Sequence, residues 1–295
     1  MEGIVSINGQ VFPLSEAKIS VLDRGFLFCD SVFEVILGLG PSIIGLDEHI
    51  ARLRYSGERI GFSVPWTDEQ LRKEVSNLCK TVSFPKSYIR ISLTRGEGLG
   101  LIPQKDSYNK LIYIMPAPVS PSRIYSEGIC IKTVGKQLNT RGPSIKNPYY
   151  IQGIISLLQY KDEGYEDVLW VNSDDEITEA TTSNIFFIGR EGSSFFVDTP
   201  SLDCGLLSGI TRLFVIKLLR KHNIEVRETP ILREELARYD EAFLTSTIRG
   251  LVPVQKIDEK KFASLRKEAL FPKIHHIFHS WVESKVGRSL DWNKG

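Results

Sequence analysis

A proline-rich segment, Pro116-Ala-Pro118-Val-Ser-Pro121, strongly constrains how this chain can fold. Three prolines in six residues favour an extended, semi-rigid connection, because proline fixes its own φ and has no backbone N–H to donate. The spacing therefore predicts a first domain at 1–117, a linker at 118–123 and a second domain at 124–295. A chain of 295 residues is long enough for two such domains.

The order of strand-like and helix-like segments predicts the fold class. Asn8-Gly9 lies between two strand-like runs and is typical of a tight hairpin turn. Apolar spacing predicts a helix over 46–60, and Thr67 followed by Gln70 is a capping-box pattern for a second helix. In the second half, strands at 129–134, 167–171, 185–188, 195–197 and 242–244 do not alternate regularly with helices at 149–163, 210–222 and 264–283. This order favours an α+β fold over a doubly wound parallel sheet.

Charge and composition exclude several classes of protein. The chain has 37 Lys+Arg against 36 Asp+Glu, so it lacks the cationic excess of proteins that bind nucleic acid through phosphates. No apolar run reaches the roughly 18 residues of a membrane span, and the start lacks a signal-peptide pattern. The four cysteines are scattered and form no C-x-x-C pair. We therefore predict a cytoplasmic protein with neither nucleic-acid nor membrane partners.

Several local features indicate an anionic ligand. Ser208-Gly-Ile-Thr-Arg212 leads into an apolar helix, whose first amides could bind phosphate. Thr245-Ser-Thr247 places hydroxyl groups after a buried-looking strand, and Arg52 lies on a predicted helix. Each feature alone has an ordinary alternative, namely a serine cap, a turn and a solvated charge.

Two further side chains could carry chemistry. Lys146 lies beside apolar Ile145 and Pro148, where partial desolvation would make its amine a better nucleophile for an aldehyde. Its alternative is a solvated surface lysine, and for Glu179 the alternative is an exposed acid.

Three histidines in the last predicted helix do not indicate a metal site. His275, His276 and His279 have helical spacing, but no Asp or Glu with ligand spacing lies near them in the sequence. We therefore predict no metal. The sequence also has no G-x-G-x-x-G, P-loop or G-x-S-x-G motif, which disfavours nucleotide-binding and serine-hydrolase functions.

Taken in order, these segments resemble the class IV aminotransferases. These are the fold-type IV pyridoxal-phosphate (PLP) enzymes, which include branched-chain and D-amino-acid aminotransferases and aminodeoxychorismate lyases. The matching segments, between about residues 3 and 258, are Ile19–Phe28 with Asp30, Val32-Phe-Glu34, His49-Ile-Ala-Arg52-Leu53, Tyr88-Ile-Arg90, Thr94-Arg-Gly96, Ser144-Ile-Lys146, Thr178-Glu179-Ala-Thr-Thr-Ser-Asn184, Ser208–Arg212 and Thr245-Ser-Thr247.

The resemblance implies a PLP site and a catalytic residue. Lys146 would bond PLP as a Schiff base and move the proton of the substrate Cα. Glu179 would lie against the pyridine nitrogen and keep the ring protonated. Arg52 would bind the phosphate with its planar fork. The remaining implied phosphate contacts come from Ile210, Thr211 and Thr247.

The resemblance also implies an architecture. It predicts a small α+β amino-terminal domain, a larger β-barrel-like domain and PLP between them. It further implies a homodimer with shared active sites, and amino acid and 2-oxo acid substrates.

Evidence on the subfamily conflicts. Tyr88-Ile-Arg90 and the loop Thr94–Pro103 resemble branched-chain aminotransferases, which implies that Tyr88, Arg90, Phe33 and Ile248 contact substrate. We expect Arg90 to bind a carboxylate, the alternative being a structural ion pair. Against this subfamily, Lys146-Asn-Pro-Tyr-Tyr150 lacks its Gly-Gly-Asn-Tyr run.

Other positions favour different members of the family. Val32-Phe-Glu-Val35 resembles the D-amino-acid group, yet that group's Arg-x-His carboxylate trap is missing, so Arg90 or Arg249 would have to serve. Val35 occupies the place of the lyases' catalytic threonine. Cys29 and Ser31 replace two glycines of the usual pattern.

The sequence favours a transaminase for a branched-chain-like aliphatic amino acid and a 2-oxo acid such as 2-oxoglutarate. An unconventional D-amino-acid transaminase is the alternative, and (R)-amine transaminases, lyases and a non-catalytic PLP-binding protein follow it.

Overall fold

The computed structural model describes residues 2–103, 107–135 and 142–290. The chain divides into two compact units. Met1–Val119 and Ile145–Tyr149 form the first unit, and Ser120–Ser144 with Tyr150–Lys294 form the second. The domain limits expected from the proline-rich segment stay a prediction, and that prediction did not separate Ile145–Tyr149 from its neighbours.

The first unit is an antiparallel sheet with helices. Its strands are β1 (Ile4–Ile7), β2 (Gln10–Pro13), β3 (Ser31–Leu39), β4 (Ser42–Ile44), β5 (Lys86–Thr94) and β6 (Asn109–Pro116), and its helices are α1 (Arg24–Phe28), α2 (Leu46–Arg59) and α3 (Asp68–Cys79). The six strands lie in the order β2-β1-β6-β5-β3-β4. The predicted hairpin is confirmed, since Asn8 and Gly9 have φ of 53° and 95°.

Helix α3 begins where its sequence predicts. The Gln70 N–H donates to Thr67 Oγ1 (3.2 Å), and the Thr67 N–H donates to Gln70 Oε1 (2.7 Å). This capping box satisfies two N–H groups that have no partner within the helix. The predicted helix at 46–60 is likewise confirmed as α2.

The two faces of the first sheet differ in chemistry. Successive side chains of a strand point to opposite faces, so Val32, Glu34 and Ile36 share one face of β3 and Phe33 and Val35 the other. The first face packs against the helices α2 and α3. Its core includes Val32, Ile36, Ile50, Leu53, Leu71, Val75, Ile89, Ile91, Leu93, Ile112 and Ile114. Glu34 is therefore a carboxylate on an apolar face.

The second unit contains a curled, half-barrel sheet. Its strands are β7 (Ile129–Gly135), β8 (Asp167–Val171), β9 (Ile177–Ala180), β10 (Asn184–Glu191), β11 (Ser194–Thr199), β12 (Glu225–Glu228), β13 (Glu241–Ser246), β14 (Gly250–Ile257) and β15 (Lys260–Lys261), and its helices are α4 (Arg123–Ser126), α5 (Ile151–Tyr160), α6 (Ile210–Lys221) and α7 (Phe271–Val286). The order is β12-β11-β10-β13-β14-β7-β8-β9, with β15 paired to β14. Parallel and antiparallel pairs are mixed in this sheet, so it is not the doubly wound parallel sheet that the sequence disfavours.

The last helix begins later than predicted. The expected helix at 264–283 starts at Phe271, because Ser264 is buried and bonds the strand β13. The Ser264 hydroxyl donates to the Ala242 carbonyl (2.8 Å) and accepts from the Ala242 N–H (3.0 Å). Glu241 then accepts from the N–H groups of Leu270 and Phe271 at 2.8 Å each. A buried carboxylate thus caps α7.

Within the described ranges, no helix is both long and apolar enough to cross a membrane. The cytoplasmic location stays a prediction from the sequence.

Candidate functional site

Lys146 is fixed through its backbone to the first unit. The Lys146 carbonyl accepts from the Phe33 N–H (3.1 Å), and its own N–H donates to the Ser56 hydroxyl of α2 (3.2 Å). Strand β4 pairs only with the stretch of β3 from Leu37 to Leu39, so the edge of β3 at Phe33 is open to Lys146. The Lys146 side chain returns over the Phe33 ring, with Nζ 4.9 Å from the ring centroid.

Arg90 stacks on the same ring. Its guanidinium carbon lies 3.8 Å from the Phe33 centroid, and its Nε donates to Ser92 Oγ (3.0 Å). Nζ of Lys146 and the guanidinium of Arg90 are therefore no farther apart than the sum of their two distances to Phe33. Among the described residues, no carboxylate lies within ion-pair distance of half-buried Arg90. The alternative of a structural ion pair is thus not seen in this part of the chain.

Two tyrosines flank Arg90 on this face of the sheet. Tyr113 pairs with Arg90 across β5 and β6, and the Tyr88 and Tyr113 rings stack with centroids 6.3 Å apart. Burial raises the pKa of Tyr113, and the nearby Arg90 charge partly offsets that rise. Tyr113 therefore keeps its proton at neutral pH and presents a hydroxyl beside a cation.

Arg52 takes part in a buried ionic cluster. Its Nε donates to Glu34 Oε1 and its Nη2 to Glu34 Oε2, both at 2.7 Å, while Nδ1 of His49 lies 2.7 Å from the same Oε2. His49 and Arg52 are one turn apart on α2, and all three residues are at most 8% exposed. The fork expected to face a phosphate is thus directed at Glu34.

The second unit holds Glu179 near the start of α6. Asn184 Nδ2 donates to the Leu207 carbonyl (2.9 Å) and reaches Glu179 Oε2 at 3.3 Å. Asn184 is 4% exposed and begins β10, whereas Glu179 is half-buried on β9. One amide therefore connects the carboxylate on β9 with the loop that leads into α6.

The first turn of α6 presents backbone amides without a side-chain cap. Gly209 is its N-cap residue and makes no side-chain hydrogen bond to the helix. A Cβ on Gly209 would lie 1.8 Å from Asn184 Oδ1, so only glycine fits this close approach. Ile210 and Thr211 follow as the first helical residues and are nearly buried. This arrangement is typical of an anion-binding helix start.

Hydroxyl groups at the end of β13 belong to the same unit as Glu179 and α6. Thr247 lies in the turn just after β13 and is half-buried. Thr245, which pairs with Asn184, has a buried Oγ1 with no hydrogen-bond partner in the described part of the chain. A buried hydroxyl without a partner is costly, so a bound polar group would supply what is missing.

The two arginines considered for substrate carboxylate differ. Ile248 and Arg249 share the turn with Thr247. Arg249 Nη2 donates to Ser183 Oγ (2.8 Å) and lies 3.5 Å from Asp167 Oδ2. Arg249 therefore has a carboxylate partner of its own, in contrast to Arg90.

Cys29, which replaces a glycine of the family's pattern, adopts a backbone conformation that favours glycine. It ends α1 with φ of 55°, a left-handed conformation for which glycine is the usual choice. The neighbouring Asp30 accepts from Nε of both Arg24 (2.7 Å) and Arg95 (3.0 Å). This ionic contact holds the segment although the glycine is replaced.

Sequence reasoning assigned no role to four residues of these clusters. Glu34 and His49 lie inside segments that carried the resemblance, and strand alternation places Glu34 among core residues. That pattern was a usable signal, because a carboxylate on an apolar face needs partners. Asn184 and Tyr113 gave no comparable signal.

The histidines of α7 show no metal geometry. The rings of His275 and His279 are 3.8 Å apart, and burial lowers the pKa of His275. In the described ranges, no cluster of three or more His, Cys, Asp or Glu side chains is arranged to hold a metal ion.

Comparison with known proteins places the chain in a family. The family model for amino-transferase class IV matches residues 31–257. A Methanocaldococcus jannaschii protein with the provisional name branched-chain-amino-acid aminotransferase is 31% identical over 96% of this chain and 97% of its own length. The D-alanine aminotransferase of Bacillus licheniformis is 27% identical over 97% and 99%.

A solved structure agrees with this placement. The branched-chain aminotransferase of Thermoproteus uzoniensis, crystallised with norvaline, superposes with a TM-score of 0.85 and 25% identity, covering 98% of this chain and 96% of that one. The predicted fold-type IV architecture is confirmed. The chain therefore belongs to the class IV aminotransferases, which are PLP-dependent enzymes.

Proposed function

We propose that this protein transfers an amino group between an aliphatic amino acid of the branched-chain kind and a 2-oxo acid such as 2-oxoglutarate. The observation that carries the proposal is Arg90, a half-buried cation stacked on Phe33 with no resident carboxylate partner among the described residues. A guanidinium held in this way is prepared for a carboxylate that arrives with the substrate.

The residues present fit PLP. The first unit offers an amine at Lys146 and a guanidinium at Arg52. The second offers a carboxylate at Glu179 and an uncapped helix start at Ile210 and Thr211. Phosphate, aldehyde and pyridine nitrogen each find a chemically matched group in this set. The Thr245 hydroxyl, which has no hydrogen-bond partner within the described ranges, supports a polar ligand near β13.

When bound, PLP supplies an aldehyde that condenses with amines and a ring that accepts the electrons left at the substrate Cα. Lys146 Nζ would be the nucleophile toward that aldehyde and the base that takes the Cα proton. Glu179 would accept the hydrogen bond of the pyridine N–H and keep that nitrogen protonated. The phosphate would be bound by Arg52, Ile210, Thr211 and Thr247.

Arg90, Tyr88 and Phe33 orient the substrate, with Ile248 as a further contact. Both Lys146 and Arg90 lie against the Phe33 ring, which limits the distance between the reacting amine and the guanidinium that binds carboxylate. A substrate whose amino group reaches Lys146 can therefore place a carboxylate near Arg90. Norvaline in the Thermoproteus uzoniensis structure supports an aliphatic side chain.

A D-amino-acid transaminase is the second candidate, supported by the D-alanine aminotransferase relative. The carboxylate of a D-amino acid would have to bind Arg90, because Arg249 already lies beside Asp167. The ion pair of Arg249 therefore weakens the version of this candidate that relies on Arg249.

Half-reactions with single amino donors test the function. The purified enzyme is mixed with L-leucine, L-glutamate, D-alanine, D-glutamate or an (R)-amine, and the visible absorbance of the bound cofactor is followed. We expect conversion with L-leucine and L-glutamate, and loss of both in Lys146→Ala. Conversion with D-alanine and D-glutamate alone would favour the second candidate. Normal turnover by Lys146→Ala would refute the catalytic assignment.

We also propose that the enzyme is a homodimer with shared active sites. Its support is an exposed apolar stripe on α5, formed by Ile151, Ile154, Ile155 and Leu158 at helical spacing, each about half exposed. Such a stripe is costly to leave in water. Light scattering after size exclusion should give twice the chain mass. The double variant Ile154→Lys/Ile155→Lys should have a lower mass in this measurement. The control Val119→Lys, at an exposed position outside the stripe, should keep the wild-type mass.

A further inference from the structure

Glu34 is a buried carboxylate whose hydrogen-bond partners lie on the helix α2. It is fully buried on β3, and both its oxygens accept hydrogen bonds from Arg52, while His49 shares Oε2. Burial alone would raise the pKa of Glu34, but the charge and hydrogen bonds of Arg52 and the contact with His49 lower that pKa to about 2. Glu34 is therefore ionised at neutral pH and can only accept hydrogen bonds.

The charge state of Glu34 fixes its neighbours. Burial lowers the pKa of His49 despite the hydrogen bond to Glu34, so the imidazole is neutral at pH 7. Because Glu34 only accepts, the proton of that neutral ring lies on Nδ1. The side-on pair uses Nε and Nη2 of Arg52, so the carboxylate of Glu34 sets the plane and the direction of the guanidinium.

A guanidinium at the end of a long side chain is hard to hold in one orientation. The arginine side chain has about 2 kcal/mol of rotamer entropy to lose when it is fixed. The two short hydrogen bonds that Arg52 donates to Glu34 fix the guanidinium plane in the folded protein, before any ligand binds. Glu34 also compensates the buried positive charge of Arg52.

We infer that Glu34 is a positioning residue for the cofactor's phosphate, because its carboxylate holds the Arg52 guanidinium in one orientation. This inference rests on the proposed role of Arg52 in binding the PLP phosphate. Glu34 itself touches neither the cofactor nor the substrate, and its effect passes through Arg52.

The test compares two ligands that differ only in the phosphate. Cofactor-free protein is titrated with PLP and with pyridoxal, which keeps the aldehyde and the ring. Glu34→Asp retains the charge but shortens the side chain by one methylene, so it breaks the paired geometry. We expect about tenfold weaker binding of PLP and less than a twofold change for pyridoxal, since a charge-assisted bond to phosphate is lost.

A matched carboxylate provides the control. Glu74 lies in the same unit and accepts from Ser6 Oγ (2.7 Å) while pairing with Lys110. Glu74→Asp should leave both affinities unchanged. Equal weakening of PLP and pyridoxal by Glu34→Asp would show a general structural role and overturn the inference.

Arg52→Lys separates this inference from the proposed function. If Arg52→Lys leaves the ratio of the two affinities at the wild-type value, the phosphate role of Arg52 is refuted. If Arg52→Lys lowers the ratio and Glu34→Asp does not, only the inference about Glu34 is overturned. Should both lower it, Glu34→Asp in the Arg52→Lys background should add no further loss, and additive losses would contradict an effect through Arg52.

Glu34→Gln keeps the test decisive if Glu34→Asp does not fold. Its amide presents an N–H₂ group toward one N–H of Arg52, so the orientation of the guanidinium is lost. The ratio of PLP to pyridoxal affinity should fall in this variant too. An unchanged or increased ratio would overturn the inference.

Discussion

Replacement of Arg90 by methionine separates substrate binding from folding. Methionine is of similar length and apolar, so it can still lie on the Phe33 ring, but it removes the charge. Because no carboxylate among the described residues pairs with Arg90, the substitution leaves no buried anion behind in that part of the chain. We therefore expect the free energy of unfolding to change by less than about 1 kcal/mol.

The expected kinetic effect follows from the contact that is lost. A hydrogen bond to a charged group contributes about 1.5–3 kcal/mol, and about 1.4 kcal/mol corresponds to tenfold. Arg90→Met should thus lower kcat/KM for glutamate and 2-oxoglutarate by roughly 10- to 100-fold. Leucine should lose less, and a neutral amine without a carboxylate should lose almost nothing.

The assay compares single-turnover rates for these three amino donors in the wild type and the variant. Arg249→Met is the matched control. Unlike Arg90→Met, it removes the cation beside the buried carboxylate of Asp167, so it should lower the melting temperature. Equal loss of rate for all three donors in Arg90→Met, or an undiminished rate with glutamate, would refute the carboxylate-binding role of Arg90.

Three further predictions follow from described contacts. Thr67→Ala removes the N-cap of α3 and should cost about 1 kcal/mol in urea unfolding, with unchanged affinity for PLP. Gly209→Ala should push Asn184 away from Glu179, and the affinity for PLP, measured by titration, should fall. Thr67→Ala is its control, since it should keep the wild-type affinity. Because the pKa of Glu34 is held below its ordinary value, its ionisation contributes about 3 kcal/mol of stability that is complete above pH 4.5 and is lost as pH falls toward 2. The difference in unfolding free energy between wild type and Glu34→Gln should shrink over this range; a constant difference would contradict the assigned pKa.

The fold could be predicted from the sequence where local chemistry decides. Asn8-Gly9 permits the positive φ of a tight turn, and Thr67 with Gln70 caps α3 without help from the rest of the chain. The start of α7 could not be predicted in this way. Ser264 is the first residue of the predicted helix, but its hydroxyl bonds to the strand β13, and the helix begins only at Phe271, where Glu241 caps it.

The site shows the same division. The family resemblance identified Lys146, Arg52 and Glu179, because each lies in one of the segments that match the family's motifs. The resemblance named Arg52 as a phosphate ligand, but the direction of its fork depends on Glu34, which faces it only after β3 and α2 have packed. The absence of a carboxylate partner for Arg90 among the described residues is likewise visible only in three dimensions.

The attachment of Lys146 to β3 has a consequence for how the protein is made. The chain emerges from the ribosome from its amino terminus, and Met1–Val119 emerges before the segment that carries the lysine. The hydrogen bonds that the Phe33 N–H and the Ser56 hydroxyl make with the backbone of Lys146 can form only after Lys146 has been synthesised. The first unit is complete only after Tyr149 has emerged, by which time the second unit has already begun.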